Sequence, residues 1–175
     1  EAGFSDFKII EKGGNFGGTW YWNRYPGASC DIESYIYFPL LEETKFIPGK
    51  KYTNAPETLE YFDVISERFG LNEHAIFQTE VNDVRWKDDD RLWEINTNKG
   101  DKIKCNYVVH ANGPLNRPKL PAINGINDYK GHTFHTSRWD YQYTGGSSKG
   151  NLSNLKDKRV AVIGTGATAV QCIPQ

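Results

Sequence analysis

The segment Arg159-Val160-Ala161-Val162-Ile163-Gly164-Thr165-Gly166-Ala167-Thr168-Ala169 constrains the fold of this chain more than any other. Its first five residues form a short β-branched run that reads as a strand buried on both faces. The run leads into Gly-x-Gly-x-x-Ala, and a helix is expected to open there. Strand, tight turn and helix in that order form a variant fingerprint of dinucleotide binding. Gly164 allows the turn, Gly166 lets backbone approach a pyrophosphate, and Ala169 lets helix and strand pack closely. Free N–H groups at the helix start favour phosphate. A glycine-containing βα turn without a ligand is the simpler alternative, and the ordered strand, turn and helix weigh against it.

Other elements follow from periodicity. Phe7-Lys8-Ile9-Ile10-Glu11 is a buried-strand candidate that ends in an acid. Asn54 and Glu57 resemble a capping box, Pro56 suits a first turn, and Leu59, Phe62, Ile65 and Phe69 recur at helical spacing before Gly70. These predict a helix from Pro56 to Phe69. Alternation then predicts three strands near Glu80–Trp86, Leu92–Thr97 and Lys102–Cys105, with turns at Asp88-Asp89-Asp90 and Asn98-Lys99-Gly100. Tyr107-Val108-Val109-His110-Ala111 reads as a further buried strand, and Gly145 to Gly150 as an exposed loop.

Charge is nearly balanced, with 21 basic and 22 acidic residues, which gives no reason to expect nucleic acid or an anionic membrane as partner. No apolar run approaches the roughly 20 residues that span a bilayer. Cys30, Cys105 and Cys172 are odd in number and widely spaced, so reduced thiols in a cytoplasmic protein are expected, with no metal site. The chain has no Met and its last residues break off inside a helical pattern, so an internal piece of a longer protein is expected.

Two further runs carry chemistry. Gly17-Gly18-Thr19-Trp20-Tyr21-Trp22-Asn23-Arg24-Tyr25-Pro26-Gly27-Ala28-Ser29-Cys30-Asp31 sets small residues beside large aromatics. On its own it reads as an aromatic packing loop with a solvated Arg and Asp. The alternative is a seat for a flat ring system, with Arg24 toward phosphate and Asp31 toward a cationic or hydrogen-bond-donating group. Glu11 alone reads as a surface acid. An acid in that position otherwise meets a ribose hydroxyl roughly 20 residues after a glycine fingerprint, and only ten residues precede it here. Tyr129-Lys130-Gly131-His132-Thr133-Phe134-His135-Thr136-Ser137-Arg138-Trp139-Asp140 contains two histidines without a zinc-like ligand set.

That last run resembles the FxGxxxHxxxW(P/D) fingerprint of type I Baeyer–Villiger monooxygenases. Gly131, His135, Trp139 and Asp140 match it, and Tyr129 replaces Phe. Gly17 to Asp31 resembles the family's GGxWxxNRYPGxxCD run. Ala111-Asn112-Gly113 with Leu115, Pro118 and Pro121 resembles its ATGxLxxPxxP linker, with Asn112 where Thr is usual. The resemblance covers essentially the whole chain in register.

The resemblance implies an α/β fold of the Rossmann-like, two-dinucleotide-binding flavoprotein kind. Residues 1–140 would form part of an FAD domain with a β-meander, 141–154 a linker, and 155–175 the first βα unit of an NADP domain. It implies FAD and NADPH as cofactors, a small ketone and O2 as substrates, and oxygen insertion through a C4a-peroxyflavin to give an ester or lactone. Glu11, Gly18, Thr19, Trp20, Tyr37 and Val81 would contact FAD. Arg24, Gly164, Thr165, Gly166, Thr168, Ala169 and Gln171 would contact NADP. Asp31 would sit at the flavin–nicotinamide region as the catalytic residue, orienting an Arg that comes later in such chains, and His135 would organise the domain linker. The family's first glycine fingerprint and that Arg fall outside these residues, so the isolated chain is expected not to turn over. An N- or S-oxidising flavin-containing monooxygenase is the alternative enzyme, disfavoured by Trp139-Asp140 and the Asn-Arg-Tyr-Pro run. A non-catalytic nucleotide-binding module is the alternative outside catalysis.

Overall fold

A computed structural model describes residues 3–175. In chain order the elements are β1 (Ile9–Ile10), α1 (Thr19–Trp22), α2 (Ser34–Tyr37), α3 (Leu41–Thr44) and α4 (Ala55–Arg68). They continue with β2 (Ala75–Ile76), β3 (Val81–Lys87), β4 (Leu92–Thr97), β5 (Lys102–Cys105), α5 (Tyr141–Thr144) and α6 (Ala167–Cys172). The chain therefore mixes α and β, as expected.

β1 and β2 pair in parallel, with Ile9 opposite Ala75 and Ile10 opposite Ile76. A parallel pair needs a long crossover, and α4 lies within it. The helix is displaced by one residue at each end from its expected limits. Asn54 Oδ1 accepts the Glu57 N–H at 3.0 Å, Pro56 sits in the first turn, and Arg68 stands in the last. Tyr61 is fully buried, stacks on Phe38 at 4.6 Å, and donates its hydroxyl to the Pro39 carbonyl. Leu59 and Phe62 pack against a cluster of Trp20, Tyr25, Ala28, Cys30, Ala55 and Cys172.

β3, β4 and β5 form the expected antiparallel meander. Trp86 faces Trp93, rings edge-on at 5.5 Å, and Ile95 faces Ile103. The ladder is irregular between Val81 and Asp83, where the meander begins.

Two expected strands are absent. Tyr107–Ala111 has no regular structure, and Tyr107 and Val109 are each 88 % exposed. Arg159–Ile163 is also irregular, with Ile163 72 % exposed. A parallel strand exists only where neighbours satisfy its N–H and C=O groups. Among the described residues no strand runs beside either segment, so apolar sequence alone builds no ladder. Phe7 and Lys8 likewise fall outside β1. Among the described residues no helix is long and apolar enough to cross a membrane.

The cap of α4 gives a direct test. Asn54→Ala should cost about 1 kcal/mol of stability, read by chemical denaturation of the full-length protein. Glu60→Ala, on the exposed side of the same helix, should stay within about 0.5 kcal/mol.

Candidate functional site

Glu11 directly follows β1. Its N–H donates to Ile76 O at 3.0 Å and its carbonyl accepts the Thr79 N–H at 3.0 Å, which ties it to the segment after β2. Its carboxylate turns back over the glycine loop and accepts the Gly13 N–H at 2.5 Å. Lys12 pairs with Glu80 at 2.7 Å, and this draws the start of the meander, with Val81 39 % exposed, toward the same loop.

Gly18 precedes α1, whose Trp20 is buried. The Trp20 Nε1–H donates to Tyr37 Oη at 2.7 Å, with the rings edge-on. Burial pushes the Tyr37 phenol above its ordinary pKa, the Trp20 donor works against this, and negative charge at Cys30 and Asp31 adds to it. Thr19 is half-buried beside Trp20. Asp31 is exposed, one residue past buried Cys30, whose N–H donates to Thr53 O at 2.8 Å. Arg24 spends its Nε–H on Tyr21 O at 2.8 Å and lies over the Tyr21 ring, with the side chain otherwise open.

Hydrogen bonds organise the fingerprint residues. His135 Nδ1 accepts the Ser137 N–H at 3.1 Å and so caps the turn Thr136–Arg138. The Trp139 Nε1–H donates to Thr144 Oγ1 at 3.0 Å, and its ring packs on the Trp20 cluster. Asp140 caps α5 by accepting the Tyr143 N–H at 3.1 Å, and its other oxygen meets His132 Nε2 at 2.9 Å. The His132 ring stacks on Tyr143 at 3.9 Å. The Tyr143 N–H, and secondarily His132, hold the Asp140 carboxyl below its ordinary range. Gly131 is exposed beside the Tyr129 side chain, where a Cβ would stand 2.2 Å from the hydroxyl oxygen and 2.3 Å from the ring.

At α6 the two glycines differ in their reasons. Gly164 adopts φ +128°, which calls for glycine. Gly166 has φ −77°, which any residue adopts, and a Cβ there would meet nothing within 4 Å. Neither the backbone conformation nor packing among the described residues requires glycine at Gly166. Thr165 is exposed, Thr168 half-buried and Ala169 buried. The Gln171 amide is engaged with Tyr25 and Ser29.

The structure thus brings Trp20, Tyr37, Trp139 and α6 to one cluster and sets Asp31 at its border. Glu11 and Val81 gather at the other side of the glycine loop. Sequence reasoning missed several joining residues. Arg138 donates to Asn116 O at 2.8 Å and lies over the Trp22 ring at 4.6 Å. Asn23 donates to Leu115 O at 2.9 Å. Arg138 falls on an unspecified position of its motif and Asn23 on a specified one, but the partners of both are distant in sequence, so spacing did not show what they bond to.

The chain matches the family profile described as pyridine nucleotide-disulphide oxidoreductase over residues 1–172. It belongs to that family. Within it, the chain is 51 % identical over its whole length to Baeyer-Villiger monooxygenase ATR8 of Stachybotrys chlorohalonatus, of which it spans 28 %. Its backbone superposes on the polycyclic ketone monooxygenase of Thermothelomyces thermophila with a TM-score of 0.89 at 43 % identity, covering 99 % of this chain and 29 % of that one. A TM-score of 0.82 at 39 % identity relates 94 % of it to 31 % of OTEMO, whose crystal structure is a complex with FAD and NADP. The Rossmann-like flavoprotein fold expected from the motifs is therefore the fold of this chain, which spans less than a third of the length of these relatives.

Asp140 makes the fingerprint acid-sensitive. A carboxyl held below its ordinary pKa stabilises the fold above about pH 4, and that contribution is lost as pH falls through the lowered value. Asp140→Asn keeps a capping side chain but removes the titration. The melting temperature of the variant should start lower at neutral pH and fall less steeply between about pH 5 and 3 than that of the parent.

Proposed function

We propose that these residues belong to an FAD- and NADPH-dependent monooxygenase that inserts one oxygen atom of O2 beside a ketone carbonyl. Ketone, O2, NADPH and one proton enter, and an ester or lactone, NADP+ and water leave. The observation that carries this reading is the likeness in sequence and backbone to a polycyclic ketone monooxygenase over 99 % of the chain. The fingerprint residues Gly131, His135, Trp139 and Asp140 support it independently.

In this reading residues 1–140 belong to the FAD domain, 141–154 to a linker and 155–175 to the start of the NADP domain. The residues present fit such groups. Glu11 offers a carboxylate beside the glycine loop, the chemistry a ribose hydroxyl requires. A Cβ on Gly18 would meet nothing within 4 Å, while Trp20 and Tyr37, joined by a hydrogen bond, form an aromatic wall beside Gly18 and Thr19. Val81 offers backbone at the start of the meander. Thr165 and Gly166 are exposed at the start of α6, where a Cβ on Gly166 would meet nothing within 4 Å, and in this reading they hold the nucleotide with Thr168 and Ala169 packed behind them. Arg24 keeps its terminal guanidinium nitrogens free for a phosphate.

When bound, the flavin supplies electron transfer and oxygen activation, and the protein supplies orientation and electrostatics. Asp31 contributes a negative charge at the border of the aromatic cluster, placed to hold a cationic group of the full-length enzyme. His135 and Trp139 fix the linker between the domains. Three free thiols support a cytoplasmic location.

The full-length protein should consume NADPH and O2 faster when a ketone is supplied, and its product should be an ester or lactone one oxygen heavier. Exclusive N- or S-oxide formation from amines or sulfides would move the assignment to the sister flavin monooxygenases. A flavin-free protein without turnover would sink both. Gly166→Val should weaken NADP+ binding by about tenfold or more, measured by calorimetry, and leave the FAD content unchanged.

A further inference from the structure

A set of polar contacts joins the aromatic run near the start of the chain to the last helix. The Tyr25 hydroxyl donates to Gln171 Oε1 at 2.6 Å. Gln171 Nε2 donates to Ser29 O at 2.9 Å, and the Ser29 N–H reaches Gln171 Oε1 at 3.4 Å. The acceptor of the Gln171 amide thus carries two donors, and its NH2 group is aimed at the same loop. Little capacity remains for a phosphate.

The backbone fits this contact. Gly27 lies between Tyr25 and Ser29 with φ +76°, and a Cβ there would stand 2.3 Å from the Gln171 carbonyl oxygen. Only glycine lets the loop approach α6 this closely. Beneath the amide, Cys172 is buried in one cluster with Trp20, Tyr25, Ala28 and Cys30. Burial pushes the Tyr25 phenol above its ordinary range, opposed by its contact with the Thr168 side chain. The hydroxyl therefore stays protonated, and remains a donor, across the neutral range.

We propose that Gln171 is a positioning residue rather than a pyrophosphate ligand: together with Tyr25 it latches α6 to the Tyr25–Ser29 loop. This rests on the function proposed above. With both cofactors bound, that function would require NADPH to pass a hydride to FAD. Such a transfer needs reacting atoms about 3–3.5 Å apart, and a shift of about 1 Å costs roughly a hundredfold. The latch joins residues 146 apart in sequence; in that reading apolar packing around Trp20 brings loop and helix together, and the latch fixes their final register. In that reading the main-chain groups at residues 164–169 would hold the nucleotide independently of the latch.

The test uses the full-length, FAD-loaded protein with Gln171→Leu, Tyr25→Phe and the double variant. Anaerobic stopped-flow reduction by NADPH reads hydride transfer without ketone or O2. NADP+ affinity by calorimetry and hydrogen exchange at the α6 amides read the latch without turnover. Flavin reduction should slow by about tenfold in Gln171→Leu, while NADP+ affinity stays within about threefold. Tyr25→Phe, which removes one hydroxyl and no packing, should slow reduction in the same sense and speed exchange at α6. The double variant should be no slower than the worse single one, since both break one contact. A tenfold loss of NADP+ affinity with unchanged reduction would make Gln171 a nucleotide ligand and overturn the latch. Multiplying effects in the double variant would overturn it too. A parent protein whose flavin NADPH does not reduce would overturn the proposed function itself, and is distinguishable because no variant is needed to see it.

Discussion

The Trp20 indole is held where four stretches of chain converge. The loop Tyr25–Cys30, the start of α4, Cys172 of α6 and the fingerprint Trp139 all pack on it or on its neighbours. Burying one large apolar side chain is worth about 1.5–3 kcal/mol, whereas an exposed ion pair contributes about 0–1 kcal/mol. The ion pairs of this chain, such as Lys12–Glu80 and Lys51–Glu33, are largely exposed. Convergence on Trp20 therefore holds the arrangement, and the ion pairs only trim it. The aromatic loop and the last helix belong to one packed unit although they stand at opposite ends of the sequence.

Small polar residues finish the interior. Ser34, Thr53, Thr58 and Thr144 are fully buried, and each finds a partner: Ser34 Oγ donates to Lys50 O, Thr53 Oγ1 accepts from Ser34 Oγ, Thr58 Oγ1 donates to Asn54 O, and Thr144 Oγ1 takes the Trp139 Nε1–H. Among the described residues no buried side-chain nitrogen or oxygen lacks one. Satisfied buried hydroxyls specify geometry, because a shifted neighbour would leave them unpaired. This is why the Trp139–Thr144 pair and the His135–Ser137 cap can set the course of the linker without a large core of its own.

Regular local patterns were legible in advance. The cap Asn54 with Glu57, the helical spacing of Leu59 and Phe62, and the alternation through β4 and β5 report contacts within a few residues, and they carry their meaning in the spacing. Tyr107–Ala111 and Arg159–Ile163 were not legible in this way. Their apolar runs state a preference for burial, but a parallel strand also needs a neighbour's hydrogen-bonding edge, which no local pattern encodes. Motif residues such as Glu11 and Asp140 were visible as types; what their side chains bond to was not.

The sequence by itself determined the kind of molecule: the order of glycine loops, fingerprint and Gly-x-Gly-x-x-Ala turn admits few folds, since each motif answers to backbone sterics and phosphate chemistry within its own span. Tertiary structure alone decided which groups share a site. Tyr25 meets Gln171, Arg138 meets Asn116, and Lys12 meets Glu80 across 146, 22 and 68 residues. The physical reason is that these bonds form only after apolar burial around Trp20 has brought distant segments within about 3 Å, the range over which a hydrogen bond acts.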